Sequence, residues 1–158
     1  MSGDPRVRPA GSRDSEALLG LWLDLVLHHR RLDPDYPSLP GIREALLGEV
    51  ERGLRAPGCQ IWLAEDDGAP VGFLFAELDG PEGGASSGGS GWIHELYVEP
   101  DWRRQGLARA LVDEASAFFD ERGRSRFSVR VESANQEGLS FWRELGLEER
   151  ARILEKRP

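Results

Sequence analysis

The densest chemistry in this chain lies in Glu95-Leu96-Tyr97-Val98-Glu99-Pro100-Asp101-Trp102-Arg103-Arg104-Gln105-Gly106-Leu107-Ala108-Arg109. Arg103, Arg104 and Arg109 gather cationic charge around Gly106, whose missing Cβ lets another molecule's atoms approach the backbone. A helix starting at Leu107 adds unpaired N–H groups and the positive end of its dipole, both of which attract phosphate. The physical reading is a phosphate cradle beside a strand end. A glycine turn by itself equally suits an ordinary strand–helix connection. Here the strand, the proline, the arginines and the helix agree.

Several elements must hold that cradle in place. Leu96, Tyr97 and Val98 suit a strand, because branched and aromatic side chains pack well on a pleated surface. Pro100 and Asp101 stop it. The strand is expected from Trp92 to Val98. The helix after it runs to about Arg122, with Leu107, Ala108, Leu111, Val112, Ala115, Phe118 and Phe119 on one stripe and Gly123 as its stop. Upstream, Arg6 to Ala10 forms a short strand, and Ser12 or Asp14 caps a helix that ends near His28-His29-Arg30-Arg31. A proline-rich loop, Leu32 to Gly41, leads to a second helix from Ile42 to about Arg55. Cys59 to Glu65 and Pro70 to Glu77 read as a hairpin closed by Asp66-Asp67-Gly68. Asp79 to Gly91 is a low-complexity, flexible loop, and Met1 to Gly3 a frayed end. Phe127 to Val131 alternates as a strand does, and Ala151 to Lys156 is expected to add a last strand.

Bulk composition narrows the function. The 158 residues fit one domain, 1–158, with a real core. With 20 basic and 28 acidic side chains, the net charge of −8 argues against non-specific nucleic-acid binding and favours a cationic acceptor such as an amine. Solubility alone explains the same charge. The single cysteine, Cys59, leaves no internal disulfide and no multi-cysteine metal site. No apolar run reaches membrane-spanning length and no secretory signal opens the chain, so the expected compartment is the cytoplasm.

The spacing Val98-x-Pro100-x-x-Arg103-x-x-Gly106-x-Ala108 resembles the acetyl-coenzyme A signature of the GNAT N-acetyltransferases. A second stretch, Asn135 to Leu147, resembles that family's other motif: Asn135, Phe141 and Gly146 match, while Gly138, Trp142 and Leu147 replace alanine, tyrosine and phenylalanine. The resemblance implies an α+β, three-layer fold with a mixed, mostly antiparallel central sheet flanked by helices. It implies acetyl-CoA as co-substrate, no metal, an amine acceptor and, as in many relatives, a homodimer, although the chain itself does not state its oligomeric state. The coenzyme would be held by Leu96, Tyr97, Val98, Arg103, Arg104, Gln105, Gly106, Leu107, Ala108, Arg109, Asn135 and Trp142. His28, His29, Asp33 and Tyr36 are candidates for the acceptor. The histidines also suit a helix end, the tyrosine surface packing, and Asn135 a helix cap.

The implied reaction is acetyl transfer to a primary amine of a small molecule or protein by direct attack in a ternary complex. Glu95 is the expected general base, since a carboxylate there can accept the ammonium proton. A salt-bridged strand residue is an equal description of it. His94 and Glu132 are the alternatives, and strict alternation along a strand would put His94 and Glu95 on opposite faces. Trp142 departs from the tyrosine that many members use as a thiolate acid, because an indole N–H does not donate its proton at neutral pH. Thiolate would then leave unassisted, or Tyr97 would assist. That departure keeps a second function in view, a non-catalytic acetyl-CoA-binding sensor or regulatory module.

Overall fold

Five strands lie side by side in the order β1 (Arg6–Pro9), β2 (Cys59–Asp66), β3 (Ala69–Leu78), β4 (Ser90–Val98) and β5 (Arg126–Val129). The computed structural model describes residues 4–37, 40–78 and 90–158. Each neighbouring pair is antiparallel except β4 with β5, which is parallel. The expected mixed, mostly antiparallel sheet is therefore present.

Alternation along the strands gives this sheet two apolar faces. Ile61, Leu63, Phe73, Phe75 and Tyr97 point to one face, where they pack under α1 (Ser15–Leu32) and α2 (Ile42–Arg55) through Leu18, Trp22, Leu46 and Val50. Trp62, Ala64, Leu74, Ala76 and Val98 point to the other. There they meet α3 (Leu107–Glu121) and α4 (Gln136–Glu144) through Leu111, Ala115, Phe119 and Trp142. Each fully buried leucine, isoleucine, valine or phenylalanine among them contributes roughly 1.5–3 kcal/mol over an exposed one. Gly91 is required by this packing, because a Cβ there would lie 2.2 Å from the Phe119 ring.

The hairpin β2–β3 turns on Asp67 and Gly68, both at positive φ (50° and 78°), the backbone of a tight two-residue hairpin turn. Asp14 takes the position before α1, but its carboxylate is held by Arg8 and by the Gly11 N–H instead of capping that helix. The loop expected over Asp79 to Gly91 falls outside the described residues at 79–89, and Ser90 and Gly91 belong to β4. Met1 to Gly3 also lies outside them.

The strand expected over Ala151 to Lys156 does not form. Its two large apolar residues, Ile153 and Leu154, are adjacent, so a strand would send them to opposite faces and no single face could bury both. They stay 67% and 92% exposed, and the tail is held instead by ion pairs from Arg157 to Asp33 and Asp35.

Candidate active site

The site originates in an irregularity of β4. Glu95 pairs with Phe75 of β3, and the next pair back is Ile93 with Ala76, which leaves His94 as an extra residue, a β-bulge. Ile93, Leu96 and Val98 pack on the α3 side, while Tyr97 belongs to the α1/α2 side and the His94 ring lies 5.2 Å from that of Phe75 on the same side. The bulge thus corrects the expectation that His94 and Glu95 face opposite ways: both lie toward α1 and α2. Strict alternation fails because the inserted residue shifts the pleat by one.

Beyond the bulge, β4 leaves β5. Their parallel pairing ends at Ile93 with Val129, so the main chain of residues 94–98 has no β5 partner on that edge. Between the diverging strands opens a cavity of about 630 Å³. Its floor is β4 from Ile93 to Val98, its far wall Val129 to Glu132, and its ends are the turn at Arg103–Arg109 and the last turn of α1.

At the turn end, Gly106 precedes α3 at φ +82° and Arg104 adopts φ +61°. Left-handed residues in a short turn are the kind of backbone from which anion-binding nests are built. A Cβ on Gly106 would meet no protein atom within 4 Å, so the space above it is open for a ligand. Arg103 is tethered: its Nε donates to the Val98 carbonyl at 2.8 Å, its guanidinium sits 5.6 Å from the Tyr97 ring centre, and Glu137 lies 3.7 Å away. Arg104 and Arg109 are exposed and make no ion pair among the described residues. Gln105 and Leu107 do not line the cavity. Gln105 donates to the Asp101 carbonyl, and the Leu107 side chain is buried in the core, so this position offers a ligand its main chain only. Asn135 accepts from the Gly138 N–H at 2.9 Å as the cap of α4 while also lining the cavity. Ala108 and the buried Trp142 line it as well. These features fit a phosphate-bearing ligand with an extended arm: a left-handed turn, two arginines without an ion pair among the described residues, and an unpaired strand edge leading away from both.

At the α1 end Glu95 lines the cavity and is partly buried, with no hydrogen bond or ion pair among the described residues. Burial, then the nearby Glu132 and Glu49, push it up to about 8. His94 is committed elsewhere, with Nε2 2.8 Å from Glu77, which also pairs with Arg52. Tyr97 donates to Glu99 at 3.3 Å, and burial and Glu99 push its hydroxyl up to about 12. His28 lines the cavity and is held below the usual imidazole range by burial and Arg103. Asp33 and Tyr36 do not line it: Asp33 is paired with Arg157, and Tyr36 stacks on His29 at 5.0 Å. His29, which does line it, is held low by burial. Arg130 and Ser140 also line the cavity, and no motif in the sequence singled them out. For Arg130 the available signal was that the alternating run outlasts the strand it belongs to.

The family model described as "Acetyltransferase (GNAT) family" matches residues 23–147. An aminoglycoside N(6')-acetyltransferase type 1 of Klebsiella aerogenes is 27% identical over 157 residues, 97% of this chain and 95% of that protein. An uncharacterized N-acetyltransferase, MJ1207, of Methanocaldococcus jannaschii is 30% identical over 100 residues; the match takes in 56% of this chain and 43% of that protein's length. Among solved structures, the aminoglycoside N-acetyltransferase AAC(6')-Iy in complex with CoA superposes with a TM-score of 0.75 at 22% identity, over 100% of this chain and 96% of that one. The BH1408 protein of Bacillus halodurans, as a tetramutant, gives 0.82 at 13% identity, over 97% and 99%. The structural likenesses carry the fold, and the family model carries the membership: this chain belongs to the acetyltransferase (GNAT) family of acyltransferases.

Proposed function

We propose that this chain is an N-acetyltransferase that moves the acetyl group of acetyl-CoA to a primary amine of a small molecule or protein, by direct attack in a ternary complex. The observation that carries the reading is a single cavity with opposite chemistry at its two ends. At one end stand a glycine turn and two arginines without an ion pair among the described residues, and at the other a partly buried carboxylate, Glu95, without a partner among them.

The nest at Arg104–Gly106 with Arg104 and Arg109 would hold the pyrophosphate, and the free edge of residues 96–98 would bond the pantetheine arm as an added strand. The amine enters beside Glu95. Its ammonium proton passes to the Glu95 carboxylate, directly or through a water, because only the neutral nitrogen has a lone pair to donate. That lone pair attacks the thioester carbonyl carbon, and a main-chain N–H of the Leu96–Val98 segment stabilises the oxygen as it gains charge. The C–S bond then breaks with its electron pair on sulfur, and the second proton of the now positively charged nitrogen leaves to the departing thiolate or to water, giving the neutral amide and free thiol. Thiolate is a good leaving group because its conjugate thiol is already fairly acidic. No metal is needed for any of these steps. Tyr97 is a poor acid for the thiolate, since its proton is engaged by Glu99 and tightly held.

The reading takes residues 1–158 as one acetyltransferase domain working in the cytoplasm, and its support from relatives is the aminoglycoside substrate named for the Klebsiella aerogenes protein. The test is release of free thiol from acetyl-CoA across a panel of aminoglycosides, polyamines, amino acids and peptide N-termini. Turnover with at least one amine is expected. Tight coenzyme binding with no turnover on any of them overturns it in favour of a coenzyme sensor.

A further inference from the structure

The turn between β4 and α3 is tied to a distant part of the sheet by a bond that lies outside the cavity. Residues 100–102 make one 3-10 turn, in which the Trp102 N–H donates to the Glu99 carbonyl at 2.9 Å and the Arg103 N–H to that of Pro100 at 3.3 Å. Arg104 and Gly106 follow at positive φ. The Glu99 N–H donates to the Val71 carbonyl at 2.8 Å, so the turn starts beside the first residues of β3, at the same end of the sheet as the β2–β3 hairpin. From that hairpin Asp66, the last residue of β2, reaches the turn: its Oδ2 accepts from the Trp102 indole N–H at 3.0 Å.

As a device for stability alone this bond is a poor one. Asp66 is 8% exposed, and its Oδ1 has no partner among the described residues. A carboxylate so buried, with one neutral donor on it, loses more hydration than a single bond replaces. An apolar side chain of similar size would fill the same space at lower cost. The Trp102 ring packs, partly buried, against the core between the sheet and α3, the helix that follows the turn. Neither Asp66 nor Trp102 lines the cavity, so any effect of theirs on a ligand there passes through the backbone of the turn.

What the bond supplies is position. Trp102 stands between the end of β4 and the left-handed residues, and a ring fixed at both its apolar face and its N–H holds the turn to one arrangement. A binding loop ordered beforehand loses less freedom when its ligand arrives. We infer that Asp66 is a positioning residue for the coenzyme, acting through Trp102 to keep the pyrophosphate turn in its binding conformation. This inference rests on the acetyl-CoA reading above and adds to it a residue 36 positions away in the chain.

The test is calorimetric titration of CoA into wild type and variants, beside thermal melts and steady-state kinetics. Asp66→Leu removes the acceptor, and Trp102→Phe keeps an aromatic ring and removes the donor. Each should weaken CoA about tenfold and raise KM for acetyl-CoA to match, with kcat at saturating coenzyme within about threefold of wild type. Asp66→Asn, whose amide oxygen still accepts from the indole, should stay within about threefold in affinity. The double variant D66L/W102F should bind no worse than the weaker single, because both changes remove one bond. Lower melting temperatures with unchanged CoA affinity in both single variants overturn the inference, since the bond would then be structural only. So does a D66N as weak as D66L, and so do losses that multiply in the double variant. If D66L fails to fold, the affinity of W102F decides. Wild type that binds no CoA overturns the coenzyme reading and the tether with it. CoA binding without turnover on any amine removes the transfer reading alone, and the tether is still judged by affinity.

Discussion

Glu95 stands directly across the sheet from Phe75, one residue out of step with where uninterrupted pairing from Ile93 would put it. The displacement turns its carboxylate toward α1 and α2 and into the cavity, where burial, Glu132 and Glu49 push it up to about 8. As a base it works only when deprotonated, so wild-type kcat/KM should climb with pH through about 8. Glu95→Gln should remove that limb and lower the rate by about 10²–10³-fold at high pH. The loss should shrink at low pH, where the wild-type carboxyl already holds its proton. Dividing the two profiles for one amine cancels the titration of the amine itself, and a flat ratio would remove Glu95 as base.

The same displaced pKa predicts a stability change. The native carboxyl keeps its proton up to about 8 and the unfolded one only to its ordinary value near 4.5, so native binds more protons between those limits. Stability from this group is fully present below the lower value and is lost as pH rises toward the upper one. E95Q should therefore melt higher than wild type at pH 8, by about 2–4 °C per kcal/mol recovered, with the gap closing near pH 4.5.

Gly106 separates binding from folding. Its φ of +82° would strain any L side chain by about 1–2 kcal/mol, yet an added Cβ would touch nothing in the protein. Gly106→Val should fold, lose a few degrees of Tm, and fail to bind coenzyme in calorimetry. Retained affinity would mean that the nest is not where the pyrophosphate sits.

The three arginines should divide by their contacts. Arg104 and Arg109 make no ion pair among the described residues, so alanine at either should weaken coenzyme binding severalfold, more at low salt than at high, with Tm nearly unchanged. Arg103 ties the turn to Val98 and covers Tyr97, so Arg103→Ala should also lower stability by about 1–2 kcal/mol. Thermal melts beside calorimetry check the split. Identical behaviour of the three would contradict it.

How far the chain could be read follows from what each feature depends on. The helices and the hairpin are local, and their apolar spacing and turn residues placed their ends within a few positions. The nest was legible for the same reason: Arg103, Arg104 and Gly106 are neighbours in sequence. The bulge at His94 was not, because it exists only in the register between β4 and β3, and nothing in Trp92 to Val98 alone announces an extra residue. The fates of Asp33 and Tyr36 depend on partners outside their own loop, Arg157 near the end of the chain and His29 in the last turn of α1. A spacing rule carries no information about either.

Trp142 offers a last test, because it stands at the motif position where the family resemblance implies a tyrosine acid. Its side chain is buried against Phe141 and the core behind α4, and it also lines the cavity. An indole N–H gives up no proton near neutral pH, so in a working enzyme Trp142 is not the acid for the departing thiolate. Trp142→Tyr replaces a large ring by a smaller one and should cost about 1–3 kcal/mol of stability through the space left. If departure of thiolate is not the slow step, kcat should stay within about threefold of wild type, since an acid accelerates only the step in which it takes part. A rise of tenfold or more, measured as thiol release under saturating amine, would instead show that protonation of sulfur limits turnover and that the tryptophan had removed a useful acid.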